Sequence, residues 1–208
     1  MRLAIFGGTG TVGSALLTQA LDAGHDIRAL VRAPSKLGGE HARLTVVQGD
    51  AREAAAVQRT VAGCDSVLST LGATSKDAPD TRRAGTAHIL AAMQEHGIRR
   101  LVVMGGFHLH VPGDRDNVGQ RLIVPILKLR PHLVEDTTAM GATVLASDLD
   151  WTLVRAPRVV GRRSNGACRT GTLSLGPWSK VPRGAVASFM LECLEDDASI
   201  RQAPMISA

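Results

Sequence analysis

The chain has 208 residues, of which 44% are hydrophobic and 21% are charged, and its formal net charge is +5 at pH 7. This length suits one α/β domain with a full core, and no apolar run is long enough for a membrane helix. Three widely spaced cysteines exclude a disulfide framework, and the absence of tyrosine excludes a Tyr-x-x-x-Lys general acid.

The sequence passes directly from Met1 and Arg2 into an apolar strand. No leader peptide is visible, so we expect a cytoplasmic protein. We also expect a monomer or a small homo-oligomer. The basic surplus attracts phosphates and other anions. Nucleic acid is not an expected partner, because aromatic residues make up 2% of the chain and no basic helix or tail stands out. We expect no metal site.

Near the amino terminus, an apolar strand predicted over residues 3–6 ends in glycines, and a helical pattern runs from Val12 to a stop at Gly24. A strand, a glycine turn and a helix in this order are the context of a dinucleotide-binding fingerprint. Glycines at such a turn let a pyrophosphate approach the backbone, and the helix N-terminus presents N–H groups to that anion.

Two glycine spacings fit the fingerprint, and both stay open. Gly8-x-Gly10-x-x-Gly13 is the Rossmann spacing, and Gly7-x-x-Gly10-x-x-Gly13 is the wider spacing of short-chain reductases. Either one predicts nucleotide binding.

A second strand, predicted over residues 26–31, ends at Arg32, and Lys36 follows four residues later. At this place an acidic residue accepts a hydrogen bond from the ribose of NAD, whereas a cation accommodates the 2′-phosphate of NADP. We therefore expect NADP(H) in preference to NAD(H), with Arg32 and Lys36 on the phosphate. The alternative is a pair of solvated loop cations.

Predicted strands and helices continue to alternate along the chain. A strand over 44–48 leads to Asp50, which we expect to cap a helix over 52–62 and to lie beside the adenine. A strand over 66–70 ends at Gly72, where backbone can approach the cofactor. A helix from Thr81 to Gly97, with His88 and His96 on its surface, precedes a strand over 100–104.

The second half begins with a loop and an apolar stretch over 107–131. This segment interrupts the strand–helix alternation beyond the carboxyl end of the preceding strand, where substrate would lie, and we call it the substrate-side excursion. Predicted elements then are a helix over 132–147, strands over 151–155 and 172–175, a helix over 183–194 and a strand over 204–207. Regular strand–helix alternation predicts an α/β fold: a single-domain doubly wound parallel sheet, or Rossmann fold, with helices on both faces.

Several ordered motifs resemble the atypical short-chain reductases, and most of all the small NADPH-dependent flavin reductases of the biliverdin-IXβ reductase type. These motifs are AIFGGTG at residues 4–10, LVR at 30–32, QGD at 48–50, VAGCD at 61–65 and LVRAP at 153–157. The resemblance extends over nearly the full chain.

The resemblance implies a set of cofactor contacts along the carboxyl edge of the sheet. The pyrophosphate would be held by Gly7, Thr9, Gly10, Thr11 and Val12, and the 2′-phosphate by Arg32 and Lys36. The adenine would be flanked by Asp50 and Ala51, and the ribose contacted by Leu71 and Gly72. The nicotinamide would be bordered by Met104, Gly105, Pro157 and Val159.

The substrate side departs from the family pattern. Gly106 stands where these reductases have a serine, Arg158 where they have a histidine, and Thr137 or Thr138 where they have a further histidine. His108 is a candidate proton donor, and Arg158 is a candidate partner for a carboxylate or carbonyl. An alternative meaning of Gly105-Gly106 is that it opens space for a bulky planar ligand.

Two functions follow from this pattern. The first is an NADPH-dependent reductase that transfers hydride directly to a flavin, quinone or tetrapyrrole-like planar acceptor. The second is an NmrA-like redox sensor that binds the cofactor without catalysis. A sugar-nucleotide epimerase is not expected, because the chain is short and has no tyrosine.

Overall fold

A computed structural model of the chain describes residues 1–72, 79–112, 114, 131–161, 168–176 and 178–208. Its helices are α1 (Thr11–Asp22), α2 (Ala54–Val61), α3 (Thr81–Glu95), α4 (Pro131–Leu145) and α5 (Arg183–Glu195). Its strands are β1 (Arg2–Phe6), β2 (Asp26–Val31), β3 (Leu44–Gln48), β4 (Ser66–Ser69), β5 (Arg100–Gly106), β6 (Asp150–Ala156), β7 (Arg158–Val160), β8 (Arg169–Gly171), β9 (Lys180–Pro182) and β10 (Met205–Ser207).

The main sheet has eight strands in the order β3-β2-β1-β4-β5-β6-β10-β8. All its pairings are parallel except that of β8, which runs antiparallel to β10. The order reverses between β1 and β4, and a ligand crevice forms at such a switch point, outside the carboxyl ends of the strands. The predicted doubly wound parallel sheet is confirmed, with one antiparallel strand, β8, at its edge.

The sheet is covered on both faces. Side chains alternate along a strand, so Leu3 and Ile5 of β1 pack with α1 and α5, whereas Ala4 and Phe6 pack against α2, α3 and α4. All four of these side chains are fully buried. This buried central strand fixes the position of the glycine turn that follows it.

The local predictions hold best in the first half. Strands β2 and β3 have the predicted bounds, and Gly24, Gly63 and Gly97 adopt positive φ after α1, α2 and α3, as helix-ending glycines do. The strand predicted over residues 172–175 was wrong. The edge strand is β8, three residues earlier, because its pairing with β10 sets its place.

Most of the predicted excursion lies outside the described residues, since 113 and 115–130 are not among them. The described part begins with Phe107, Leu109 and Val111, whose side chains are buried. None of the helices in the described part of the chain is long and apolar enough to span a membrane.

Candidate functional site

The turn after β1 depends on two glycines. Gly7 has a φ of +78°, and a Cβ there would lie 2.7 Å from the carbonyl oxygen of Thr70 at the end of β4. A Cβ on Gly13 would lie 2.0 Å from the carbonyl oxygen of Gly7. At Gly8 a Cβ would meet only side-chain atoms, the nearest being Cδ1 of the flexible Leu17 at 3.2 Å. The geometry therefore favours the wider of the two predicted spacings.

The amino terminus of α1 is open to a ligand. Gly10 is its N-cap and offers no side-chain oxygen, while its own N–H donates to the carbonyl of Gly7 at 2.9 Å. The first N–H groups of the helix have no partner within the helix and, together with the helix dipole, favour an anion. The turn thus fits a pyrophosphate group.

One cavity of about 800 Å³ follows the carboxyl edge of the sheet from this turn in both directions. Every residue that the sequence assigned to the cofactor or to catalysis lines it: Gly7, Thr9, Gly10, Thr11, Val12, Arg32, Lys36, Asp50, Ala51, Leu71, Gly72, Met104, Gly105, Pro157 and Val159, with His108 and Arg158. The fold therefore brings together residues that lie up to 152 positions apart in the chain, from Gly7 to Val159.

At one end of the cavity, Arg32 and Lys36 are exposed and cationic. Asp50 lies beside them but does not cap α2, as the sequence had suggested, because that helix begins later, with Glu53 as its N-cap. Asp50 instead accepts hydrogen bonds from the backbone N–H and the side chain of Arg52, at 2.9 and 3.1 Å. The hydrogen bond from Arg52 is the main cause that lowers the pKa of Asp50.

At the other end, the carboxyl ends of β5 and β6 meet. Gly106 pairs with Ala156, and the chain then continues through Pro157 to the exposed Arg158 at the start of β7. Because the two strands are parallel, Met104 and Val159 approach the same part of the cavity.

His108 folds back against Gly106. A Cβ at position 106 would lie 2.4 Å from Cε1 of the imidazole, so a larger residue could not stand there without moving the ring. The side chains of Leu109 and Leu153 fill the space beside Gly105 in the same way. A Cβ at position 105 would lie 2.7 Å from Leu109 and 3.1 Å from Leu153. The space that side chains at 105 and 106 would take is therefore occupied by Leu109, Leu153 and His108, and room for a bulky ligand there stays a prediction.

The imidazole of His108 is half-buried. Its Nε2 is buried and makes no hydrogen bond with any residue that the structure describes. Burial, followed by the positive charge of Arg82, lowers the pKa of His108 from its usual value of 6.5. At neutral pH the ring is uncharged, with one nitrogen as donor and the other as acceptor.

Arg82 also lines the cavity, although no motif in the sequence predicted it there. Its Nη1 donates to the hydroxyl of Thr137, and the hydroxyl of Thr137 donates in turn to the carbonyl of Leu133 at 2.7 Å. Burial is the main cause that lowers the pKa of Arg82, and the nearby Asp136 opposes that effect. One signal was available: α3 starts just after β4, so its first turn lies at the ligand edge of the sheet.

Arg155 anchors the segment that carries His108. Its guanidinium binds both carboxylate oxygens of Asp114, at 2.5 and 2.8 Å, and also the carbonyls of Leu109 and Ala203 at 2.9 Å. Burial alone would raise the pKa of Asp114, but the hydrogen bond from Arg155 lowers it overall. Arg155 is thus structural, while Arg162 and Arg163 lie outside the described residues.

The other histidines have different surroundings. His110 is exposed, and its Nδ1 lies 3.7 Å from Oδ2 of Asp114. His88 is not the simple surface residue that was expected, since it is half-buried and its Nδ1 lies 3.1 Å from the carbonyl oxygen of Ala51. Within the described ranges, no three His, Cys, Asp or Glu side chains are placed to hold a metal ion.

The comparisons with known proteins agree with this geometry. Residues 7–197 match the family described as NAD(P)H-binding, and the chain belongs to that family. Among curated relatives, it is 35% identical over 124 residues to the 3-beta-hydroxysteroid dehydrogenase of Mycolicibacterium neoaurum, which covers 50% of this chain and 34% of the relative.

A second relative is the (4-alkanoyl-5-oxo-2,5-dihydrofuran-3-yl)methyl phosphate reductase of Streptomyces griseus subsp. griseus. It is 30% identical over 165 residues, 79% of this chain and 53% of the relative. The match thus spans between a third and about half of the length of these relatives.

Among solved structures, the anaerobillin reductase ChuY from Escherichia coli O157:H7 is similar over 99% of this chain and 96% of its own. Its TM-score is 0.79 at 17% identity, so this likeness shows the fold. The resemblance found in the sequence is confirmed at the level of the NAD(P)H-binding family.

Proposed function

We propose that this chain is an NADPH-dependent reductase that transfers hydride to a flavin, a quinone or a similar planar acceptor. One observation carries the proposal: a single cavity joins the cations at Arg32 and Lys36, the glycine turn and the segment from Met104 to His108. A dinucleotide laid along such a cavity has its adenosine phosphate at one end and its reactive ring at the other.

Each part of the cavity has a role in this proposal. Arg32 and Lys36 hold the 2′-phosphate, and the N–H groups at the start of α1 hold the pyrophosphate. Asp50 and Ala51 border the adenine, and Leu71 and Gly72 border the ribose. Met104, Gly105, Pro157 and Val159 border the nicotinamide, which supplies the hydride when NADPH is bound.

The acceptor lies between the nicotinamide position and the residues at the far end of the cavity. A flavin or quinone accepts hydride without a protein acid in the same step, so the missing tyrosine does not prevent the reaction. Water supplies the proton that the reduced acceptor takes up, and the uncharged ring of His108 passes it on by accepting a proton at one nitrogen while it donates from the other. Arg158, at the rim, contacts a carbonyl or carboxylate of the acceptor.

The test is a spectrophotometric assay of NADPH oxidation by the purified chain, with FMN, riboflavin and 1,4-naphthoquinone as acceptors. We expect turnover with at least one of them, faster with NADPH than with NADH. Tight binding of NADPH without oxidation by any acceptor would contradict the reductase proposal.

That outcome would favour the second candidate, a redox sensor that binds the cofactor and does not turn over. The observation in its favour is that Gly106 and Arg158 stand where the similar flavin reductases have a serine and a histidine. The same assay therefore separates the two functions.

A further inference from the structure

Arg82 and His108 occupy the part of the cavity where this chain departs from the similar flavin reductases. Gly106 replaces the family's serine, and the imidazole of His108 lies in the space that a side chain at 106 would fill. Thr137 is one of two candidates for a lost histidine position, and its hydroxyl holds the guanidinium of Arg82. The two departures thus give the cavity a neutral imidazole and a cation.

The guanidinium of Arg82 is only partly satisfied. Its Nε is buried without a hydrogen-bond partner among the described residues, and its described side-chain hydrogen bond is the one from Nη1 to Thr137. Its Nη2 lies 4.0 Å from the position that a Cβ on Gly72 would take, beside the cavity wall.

No carboxylate among the described residues forms an ion pair with Arg82. The carboxylate of Asp136 is close, but its two oxygens accept the backbone N–H groups of Arg82 and Arg83, at 3.1 and 2.9 Å. A largely buried cation that forms no ion pair with a described residue is costly, and an anionic ligand that reaches it gains charge-assisted hydrogen bonds.

We propose that Arg82 binds an oxyanion of the electron acceptor, a carboxylate or a phosphate, and so selects anionic planar acceptors over neutral ones. This inference rests on the proposed reductase function, because the oxyanion belongs to the molecule that is reduced. The uncharged ring of His108 lies against Gly106, within reach of the charge of Arg82, and adds no second positive charge there. Arg158, at the exposed rim, strengthens the attraction of an anion into the cavity.

The test compares the wild type with Arg82→Gln, using Arg83→Gln as the matched control. Arg83 is the next residue on the same helix, but it is exposed and is not among the residues that line the cavity. NADPH oxidation is measured with two acceptor pairs that differ in charge: FMN against riboflavin, and 1,4-naphthoquinone-2-carboxylate against 1,4-naphthoquinone.

For Arg82→Gln we expect kcat/KM for an anionic acceptor to fall about 10- to 100-fold, as for a lost charged hydrogen bond, mainly through KM. For the neutral acceptor of each pair it should change by less than about twofold, and Arg83→Gln should match the wild type. Arg82→Lys, which keeps the charge but not the paired donors, should recover part of the loss. A loss with FMN alone would identify phosphate, and a loss with the naphthoquinone carboxylate alone would identify carboxylate.

Two results would overturn the proposal: an equal loss with neutral acceptors, or a matching loss of NADPH affinity, which would place Arg82 on the cofactor. If the wild type oxidises NADPH with none of the acceptors, the reductase function fails separately. Calorimetry of 1,4-naphthoquinone-2-carboxylate with the NADP⁺-loaded protein then decides the oxyanion site. Binding that Arg82→Gln abolishes would support the site, and no binding to the wild type would overturn it.

Discussion

The packing of His108 against Gly106 controls the environment of one titratable group, the imidazole of His108. Gly106 has no side chain, and the imidazole of His108 takes that space, with Nε2 buried and without a hydrogen bond to any described residue. A buried polar nitrogen of this kind is costly unless a ligand or a water molecule satisfies it. The site therefore holds a group whose protonation depends directly on packing.

This packing predicts a pH dependence of stability. Since the pKa of His108 in the folded chain lies below its usual value of 6.5, the unfolded chain takes up a proton more readily. The free energy of unfolding should therefore decline as the pH falls from about 7 through 6.5 toward the folded pKa. Urea denaturation at a series of pH values measures the slope, which His108→Gln should reduce.

Gly106→Ser provides a second variant with the same readout. A Cβ at 106 displaces the imidazole, a flexible side chain, so the pKa of His108 should return toward 6.5 and the slope should fall as in His108→Gln. His25 is the control, because burial lowers its pKa too, and His25→Gln should remove a separate part of the slope. An unchanged slope in both variants at 106 and 108 would show that the imidazole is not buried.

At the scale of elements, α4 completes the amino terminus of α3. Asp136 of α4, only 4% exposed, accepts the backbone N–H groups of Arg82 and Arg83 in the first turn of α3. These N–H groups have no partner within their own helix. The carboxylate also suits the positive end of the helix dipole. One side chain thus connects α4 to the first turn of α3, whose Arg82 lines the cavity.

Asp136→Ala should lower the free energy of unfolding by roughly 2–4 kcal/mol, because it leaves two N–H groups without a partner and opens a small void. Urea denaturation followed by circular dichroism measures the loss. Glu135→Ala is the matched control, since its neighbouring carboxylate is exposed, and it should change stability by less than about 0.5 kcal/mol. Equal stabilities of the two variants would contradict the capping role.

The elements that the sequence predicted well are those whose signals are local. The strand before Gly7, the helix after it and the bounds of β2 and β3 follow from short apolar runs and glycine stops. Asp136 and Arg155 could not be predicted in this way. Asp136 acts on residues more than 50 positions away, and Arg155 pairs with Asp114 across 41 positions.

The same limit applies to the site. The residues predicted to contact the cofactor follow strands in a recurring pattern, and all of them line the cavity. Arg82 was missed because nothing in the sequence near it shows that Thr137 would hold its guanidinium. The edge strand over 169–171 was misplaced because its partner β10 lies more than 30 residues later.

At the scale of the whole molecule, many arginines serve the fold rather than a partner. Arg28 donates to the carbonyl of Ala62 at the end of α2, and Arg43 donates to that of Leu21 in the last turn of α1. Arg100 lies next to the end of α5 and donates hydrogen bonds to the hydroxyls of Thr152 and Ser199, both at 2.8 Å. Cations favour helix carboxyl termini. The net charge of +5 therefore does not require a nucleic-acid partner.

The cavity draws its lining from both halves of the chain, so a bound dinucleotide connects them and must stabilise the whole fold. A ligand at about 100 times its Kd adds about 2.7 kcal/mol, which for a chain of this length raises Tm by roughly 5–10 °C. We expect NADPH to give such a shift and NADH, at equal concentration, a smaller one. Differential scanning fluorimetry measures both.

The difference between the two cofactors should arise at Arg32 and Lys36, because the 2′-phosphate is the only group that distinguishes them. Arg32→Asp places a negative charge there, so the shift in Tm with NADPH should fall to that with NADH or below it, while the shift with NADH is retained. The same variant without ligand is the control for stability. An equal loss of the Tm shift with both cofactors would show that Arg32 does not bind the 2′-phosphate. The basis for preferring NADPH would then be lost as well.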